Sequence, residues 1–164
     1  MVRRRTSAVS VRRACPDDVP DLAELRRLWS SENVGHELEA DTDFVAEFAG
    51  WFDREADQRV AWVVELDGAA IGMLNMLVYT RMPVPAGARK GRRGQWGYIA
   101  NVFVLAEHRN AGFGQLLLQA ATEFADAAGF ARLVLSPSDR SVPFYARAGF
   151  VPATTLLVRP APPG

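Results

Sequence analysis

Apolar positions along this chain recur with two periods, roughly 3.6 and 2 residues, and the change from one to the other marks out the elements. Residues 9–14 read as a short strand, after which Asp17 is placed to cap a helix carrying Val19, Leu22, Leu25, Leu28 and Trp29. A second helix is expected from about Thr42, with Phe44, Val45, Phe48, Trp51 and Phe52 on its inner side. Residues 60–80 then read as two strands about Asp67 and Gly68, a strong hairpin signal, so this pair is antiparallel. Residues 81–97 have the Pro, Gly and charge content of a long loop, with Arg89, Lys90, Arg92 and Arg93 clustered.

The pattern resumes at residues 98–104, a strand apolar on both faces and therefore central. From Gly112 a helix runs to about Ala128. It sets Phe113, Leu116, Leu117, Ala120 and Phe124 against a polar side of Gln115, Gln119, Thr122, Glu123 and Asp126, and Gly129 closes it. Residues 131–136 read as another strand buried on both faces. Residues 141–149 read as a short helix with Pro143 in its first turn, and residues 150–158 as a last strand.

Composition narrows the picture. At 164 residues and 49% hydrophobic content, the chain is long enough for one cored α/β domain and short for two. Lys plus Arg number 19 and so do Asp plus Glu, so no global field points to nucleic acid or an anionic membrane. Cys15 is the single cysteine, which excludes an internal disulfide and a multi-cysteine metal site and fits a reducing, cytoplasmic setting. The basic start is followed by no apolar core of a signal sequence, and nothing in the chain reads as a membrane span.

The candidate chemistry sits in residues 107–120. A strand, a turn containing Arg109, Gly112 and Gly114, and a helix beginning there bring unpaired amides and the positive end of a helix dipole to one point. That is an anion site, with a diphosphate as the natural guest. A Cβ at either glycine would hold ligand oxygens off the amides or forbid the dihedrals the turn needs. Two phosphate motifs fail here. A nucleoside-triphosphatase loop needs Lys and Ser or Thr where Gln115 and Leu116 stand, and a dinucleotide fingerprint needs a glycine at Leu117.

The stretch from Val102 to Gly129 resembles the acyl-CoA pyrophosphate motif of the GNAT superfamily of N-acetyltransferases, with Arg109, Gly112 and Gly114 at the motif positions. Some thirty residues on, Phe144, Tyr145, Gly149 and Phe150 look like that family's second signature, a strand followed by a short aromatic helix closed by GlyPhe. The element order is similar over residues 9–158. The resemblance implies an α/β (α+β) fold, with a mixed, mostly antiparallel central sheet of roughly six to seven strands flanked by about four helices. It implies a single acyl-CoA N-acyltransferase domain over residues 9–160 behind a disordered arm, residues 1–8, and a monomer or homodimer.

It also implies roles. The pantetheine arm would lie between the strands at 98–104 and 131–136 and pair with backbone near Phe103 and Val104. The amides of Arg109, Asn110, Ala111, Gly112, Phe113, Gly114 and Gln115 would take the diphosphate of acetyl-CoA, the acyl donor. No metal is required for direct transfer through a tetrahedral oxyanion. Tyr145 is the implied general acid, because a phenol of pKa about 10 can protonate a thiolate of about 8.5 while staying neutral at pH 7.

The base is less direct. An amine of pKa about 10.4 is neutral in only about one molecule in 2,000 at pH 7. Relatives often place a carboxylate in the central strand, where this chain has Ala100 and Asn101. Asn101 is the candidate there, as holder of a water or of the acceptor. His36, Glu37, Glu39, Asp41 and Asp43 follow the first helix on the acceptor side and mildly favour a cationic amine. Ser138 stands where relatives often have an Asn that bonds the pantetheine, and Asp139 beside it has the plainer reading of a helix cap. His108 adjoins the phosphate turn and has the plainer reading of an exposed loop residue. The expected activity is acetyl transfer to an amine on a small molecule or protein. The alternative is an acyl-CoA-binding sensor without chemistry. Nucleic-acid binding through residues 81–93 is not expected.

Overall fold

In the computed structural model, which describes residues 7–85 and 94–160, the Asp67-Gly68 turn joins β2 (Arg59–Leu66) to β3 (Ala69–Thr80). Both turn residues are left-handed, Asp67 at φ 51° and Gly68 at φ 85°, the combination that matches the twist of the strands it connects. With β1 (Val9–Arg13), β4 (Gln95–Val104) and β5 (Arg132–Leu135) they form one sheet in the order β1-β2-β3-β4-β5. Every neighbouring pair is antiparallel except β4 with β5, which is parallel. The mixed, mostly antiparallel sheet is therefore as expected.

The alternation of side chains assigns the two faces. Trp62, Val64, Leu74, Met76 and Ile99 pack with Leu117, Leu118, Ala121 and Ala125 of α3 (Phe113–Ala127). On the other side Val63, Met73 and Phe103 pack with Leu22 and Leu25 of α1 (Val19–Val34), joined by Phe48 and Phe52 of α2 (Thr42–Arg54). A sheet covered on both faces has no polar side, which is why its central strands read as near-continuous apolar runs. The short α4 (Val142–Arg147) follows β5, with Pro143 in its first turn.

Three expectations change. The sheet has five strands among the described residues, because residues 150–158 form none: Val151, Leu157 and Val158 are 81%, 98% and 87% exposed. A run of β-branched and apolar residues supplies side chains for a ladder but no neighbour to complete it. β5 is consequently only half-buried instead of buried on both faces. β4 begins at Gln95, three residues before Tyr98, because Trp96 lies edge-on to Tyr79 at 5.1 Å and under the Arg132 guanidinium at 5.0 Å. Arg89, Lys90, Arg92 and Arg93, and residues 1–6 of the expected arm, lie outside the described residues. Ala8, also in that arm, donates its amide to Asp67 Oδ1 at 2.9 Å.

The corner from β1 into α1 is built on Asp18 rather than Asp17. Asp18 is buried, accepts the Cys15 amide at 2.8 Å, and takes both Arg12 guanidinium nitrogens at 2.6 and 2.8 Å. Arg12 reaches on to Glu65 of β2 at 2.6 Å, so one fork ties the first strand, the first helix and the hairpin. The hydrogen bonds from Arg12 hold the Asp18 carboxyl below its ordinary 3.8, at about 2. A carboxylate depressed in the fold contributes stability that is complete above its unfolded value and is lost as pH falls through its folded value. Arg12 is 42% exposed, so solvent screening leaves on the order of 1–2 kcal/mol. Urea unfolding between pH 5 and pH 2 should show that loss in the native chain and a flatter profile in Arg12→Gln; identical profiles would remove Asp18 as the cause.

Candidate active site

The geometry of the site begins with β4 losing a neighbour. Its pairing with β5 runs from Trp96 opposite Arg132 to Ile99 opposite Leu135 and stops, while its pairing with β3 continues to Val104 opposite Gly72. Residues 100–104 of β4 thus have no strand on the β5 side among the described residues. At the same point the β3 ladder steps from Met76 opposite Ile99 to Asn75 opposite Asn101, which leaves Ala100 as an extra residue, a bulge that re-aims the chain.

Beyond Val104 comes the turn. Asn110 is left-handed at φ 62° and Gly112 at φ 89°, and the first amide of α3 to find a helical partner is that of Leu116, donating to the Gly112 carbonyl at 3.1 Å. The amides of Phe113, Gly114 and Gln115 precede it and belong to the orphan set of a helix start. α1 and α2 carry Asp21 and Asp43 in their first turns; α3 carries no acid there, so its positive end is not answered from within the helix. A Cβ at Gly114 would meet the Phe144 ring at 3.6 Å and the Val104 side chain at 3.9 Å, both ordinary contacts, so space inside the protein does not demand that glycine.

Arg109 holds the turn in shape. Its Nε donates to the Val104 carbonyl at 2.9 Å, its Nη2 to both carboxylate oxygens of Glu32 at 2.7 Å, and its guanidinium lies 5.4 Å from the Phe103 ring centre. Glu32, in the last turn of α1, is a residue that sequence reasoning missed. His108 packs edge-on against Phe113 at 6.1 Å, and Ala111 is exposed.

Across the α3 start, Phe144 contacts Tyr145 at 4.9 Å, and Tyr145 contacts Phe150 at 5.8 Å. Tyr145 is half-buried, its hydroxyl makes no hydrogen bond among the described residues, and burial pushes its pKa above the ordinary 10. Ser138 precedes a tight turn at the end of β5, where its Oγ and that of Ser141 lie 3.1 Å apart.

On the opposite side of the bulge, a cavity of about 650 Å3 lies between the sheet and the helix pair, lined by Ala100 and Asn101 and by Phe48, Trp51, Met73 and Asn75. Asn75 Nδ2 donates to Asn101 Oδ1 at 3.4 Å, so the partner that a polar residue in β4 requires comes from the adjacent strand. Asn75 was also missed, although a lone amide within an apolar strand was the available signal. No hydrogen bond or ring contact joins Tyr145 to Asn101 among the described residues; the bulge separates the two. The linker candidates do not line this cavity: Asp41 caps α2 through the Asp43 amide at 2.8 Å, Glu37 lies 3.9 Å from Arg27, and His36 is exposed. Among the described residues, no group of three or more His, Cys, Asp or Glu is arranged to hold a metal ion.

A family model described as the acetyltransferase (GNAT) family matches residues 22–150. The chain is 30% identical over 142 residues to a glucosamine 6-phosphate N-acetyltransferase of Trypanosoma brucei brucei, covering 81% of this chain and 91% of that one. Among solved structures, a GCN5-related N-acetyltransferase from Ralstonia eutropha aligns with a TM-score of 0.69 at 29% identity, covering 94% of this chain and 99% of the other. A predicted acetyltransferase from Clostridium acetobutylicum, solved with acetyl-CoA, aligns at 0.71 with 19% identity, covering 93% and 96%.

The turn supplies its own test. A Cβ at Gly112 meets nothing within 4 Å, so the effect of Gly112→Ala is conformational alone. Urea denaturation should show a loss of about 1–2 kcal/mol from the left-handed backbone. An unchanged midpoint would mean that the turn relaxes without cost.

Proposed function

The chain belongs to the acetyltransferase (GNAT) family, and from that premise we propose that it moves an acetyl group from acetyl-CoA directly to a primary amine, with Tyr145 as general acid. The observation that carries this reading is the meeting of the open edge of β4 with the unanswered amide cluster of the turn. In this reading the diphosphate sits on the amides of residues 110–115, the Arg109 amide expected to join them being taken by the Ala106 carbonyl at 3.3 Å, and the pantetheine pairs with backbone at Phe103 and Val104. Ser138 closes over the arm from the far strand.

The thioester carbonyl then lies at the Ala100 bulge, between Tyr145 on one side and Asn101 on the other. The amine loses a proton to water held at Asn101, and its nitrogen attacks the thioester carbon. The tetrahedral oxyanion is stabilised by main-chain N–H groups of β4. Collapse breaks the carbon–sulfur bond, and the departing thiolate takes the Tyr145 proton, which solvent replaces. Burial raises the Tyr145 pKa above its ordinary 10, which keeps the phenol protonated at neutral pH and so able to donate. The relative that acts on glucosamine 6-phosphate supports an amine acceptor.

A second reading is kept by one observation: the bulge carries Ala100 and Asn101 where a carboxylate base would stand. On that reading the protein binds acyl-CoA as a sensor. Release of free thiol from acetyl-CoA across an amine panel separates the two. Tyr145→Phe should lower kcat about 100-fold or more while the KM for acetyl-CoA moves little. Undiminished turnover would remove Tyr145 as the acid, and tight CoA binding with no turnover on any amine would favour the sensor.

A further inference from the structure

The cavity on the acceptor side is asymmetric in its chemistry. Phe44, Phe48 and Trp51 stand on one side of α2 and all line it, with ring contacts of 6.1 and 5.3 Å along the row. None of them is fully buried, and although Phe48 also packs against the sheet cluster, all three present ring surface to the cavity. Aromatic surface of that kind suits the apolar body of a ligand, and about 650 Å3 falls within the usual range for small-molecule sites.

Facing it from α1 is Arg26. Its guanidinium is half-buried, stacks on the Trp29 ring at 4.3 Å, and has no carboxylate partner among the described residues. Burial alone acts on its pKa, lowering it. The other ionisable groups lining the cavity are paired, stacked on a ring or exposed. Arg59 pairs with Glu55 at 2.7 Å, the Arg13 guanidinium lies over Phe124 at 5.4 Å, and Cys15, Glu47 and Arg54 are exposed. Arg26 has therefore given up hydration without receiving a counter-charge, and its planar fork matches a carboxylate. At the sheet, Asn75 Oδ1 is buried with no hydrogen-bond partner among the described residues, an acceptor still open to an N–H.

Resting on the acetyl-transfer reading above, we propose that the acceptor is a small primary amine with an aromatic body and a carboxylate. Arg26 holds the carboxylate, the α2 aromatics hold the body, and Asn75 with Asn101 receives the amine.

Two matched pairs test this with acetyl-CoA: phenylalanine against phenethylamine, and 4-(aminomethyl)benzoate against benzylamine. They differ in how far the carboxylate stands from the nitrogen. In at least one pair the acid should exceed its carboxylate-free partner at least about tenfold in kcat/KM. Arg26→Gln should abolish that ratio through KM with kcat little changed, and Arg26→Lys should restore part of it. Both carboxylate-free amines, or spermidine, being acetylated as well as the acids would overturn the proposal; this comparison needs no variant. If CoA binds but no amine turns over, the transfer reading has failed, and calorimetry on the same pairs decides this one. Arg26-dependent preference for the acid supports it; equal or absent binding sinks it.

Discussion

Every buried amide and carbonyl of a chain needs a partner, and in this protein that requirement locates the site. β4 meets it on one side along its whole length through β3, and on the other only as far as Ile99, where β5 gives out. The start of α3 leaves a second set of amides without helical partners a few residues later. Strand edge and helix start are joined by a single turn, so two deficits of main-chain bonding lie next to each other. On the acetyl-transfer reading, such a place is completed by a ligand able to behave like a strand at one end and like an anion at the other. That reading rests on backbone geometry more than on side-chain identity.

Side chains act here mainly to keep that geometry open. Arg109 uses its Nε on the Val104 carbonyl and its Nη2 on Glu32, tying the turn to the last stretch of α1. On the other face, the Asn75–Asn101 pair satisfies most of the polar requirement introduced by an amide in a buried strand, and leaves one oxygen over. The bulge at Ala100 lies between these two faces, so a change of one residue in the register of β4 moves both.

What the sequence disclosed follows from the range of the interactions involved. Helices α1 to α3 were legible because each carries its own apolar period, and the hairpin because Asp67 and Gly68 demand a left-handed turn. The turn at Gly112 was legible for the same local reason. The strand expected over residues 150–158 was not formed, since the β-branched and apolar run at Thr154 to Val158 says nothing of a neighbour. Glu32, Asn75 and Arg26 escaped notice because their meaning is non-local: Glu32 meets an arginine 77 positions away and Asn75 an amide 26 away, while Arg26 is defined by lacking a carboxylate partner among the described residues.

The neutralised turn has a kinetic consequence. With Arg109 answered by Glu32, what the turn presents is a set of dipoles, whose field falls off faster than that of a net charge. Dipoles of this kind do little to draw an anion from a distance, but they grip one that has arrived. On the proposed reading, the strength of diphosphate binding at this turn accordingly resides in a slow departure instead of a fast approach.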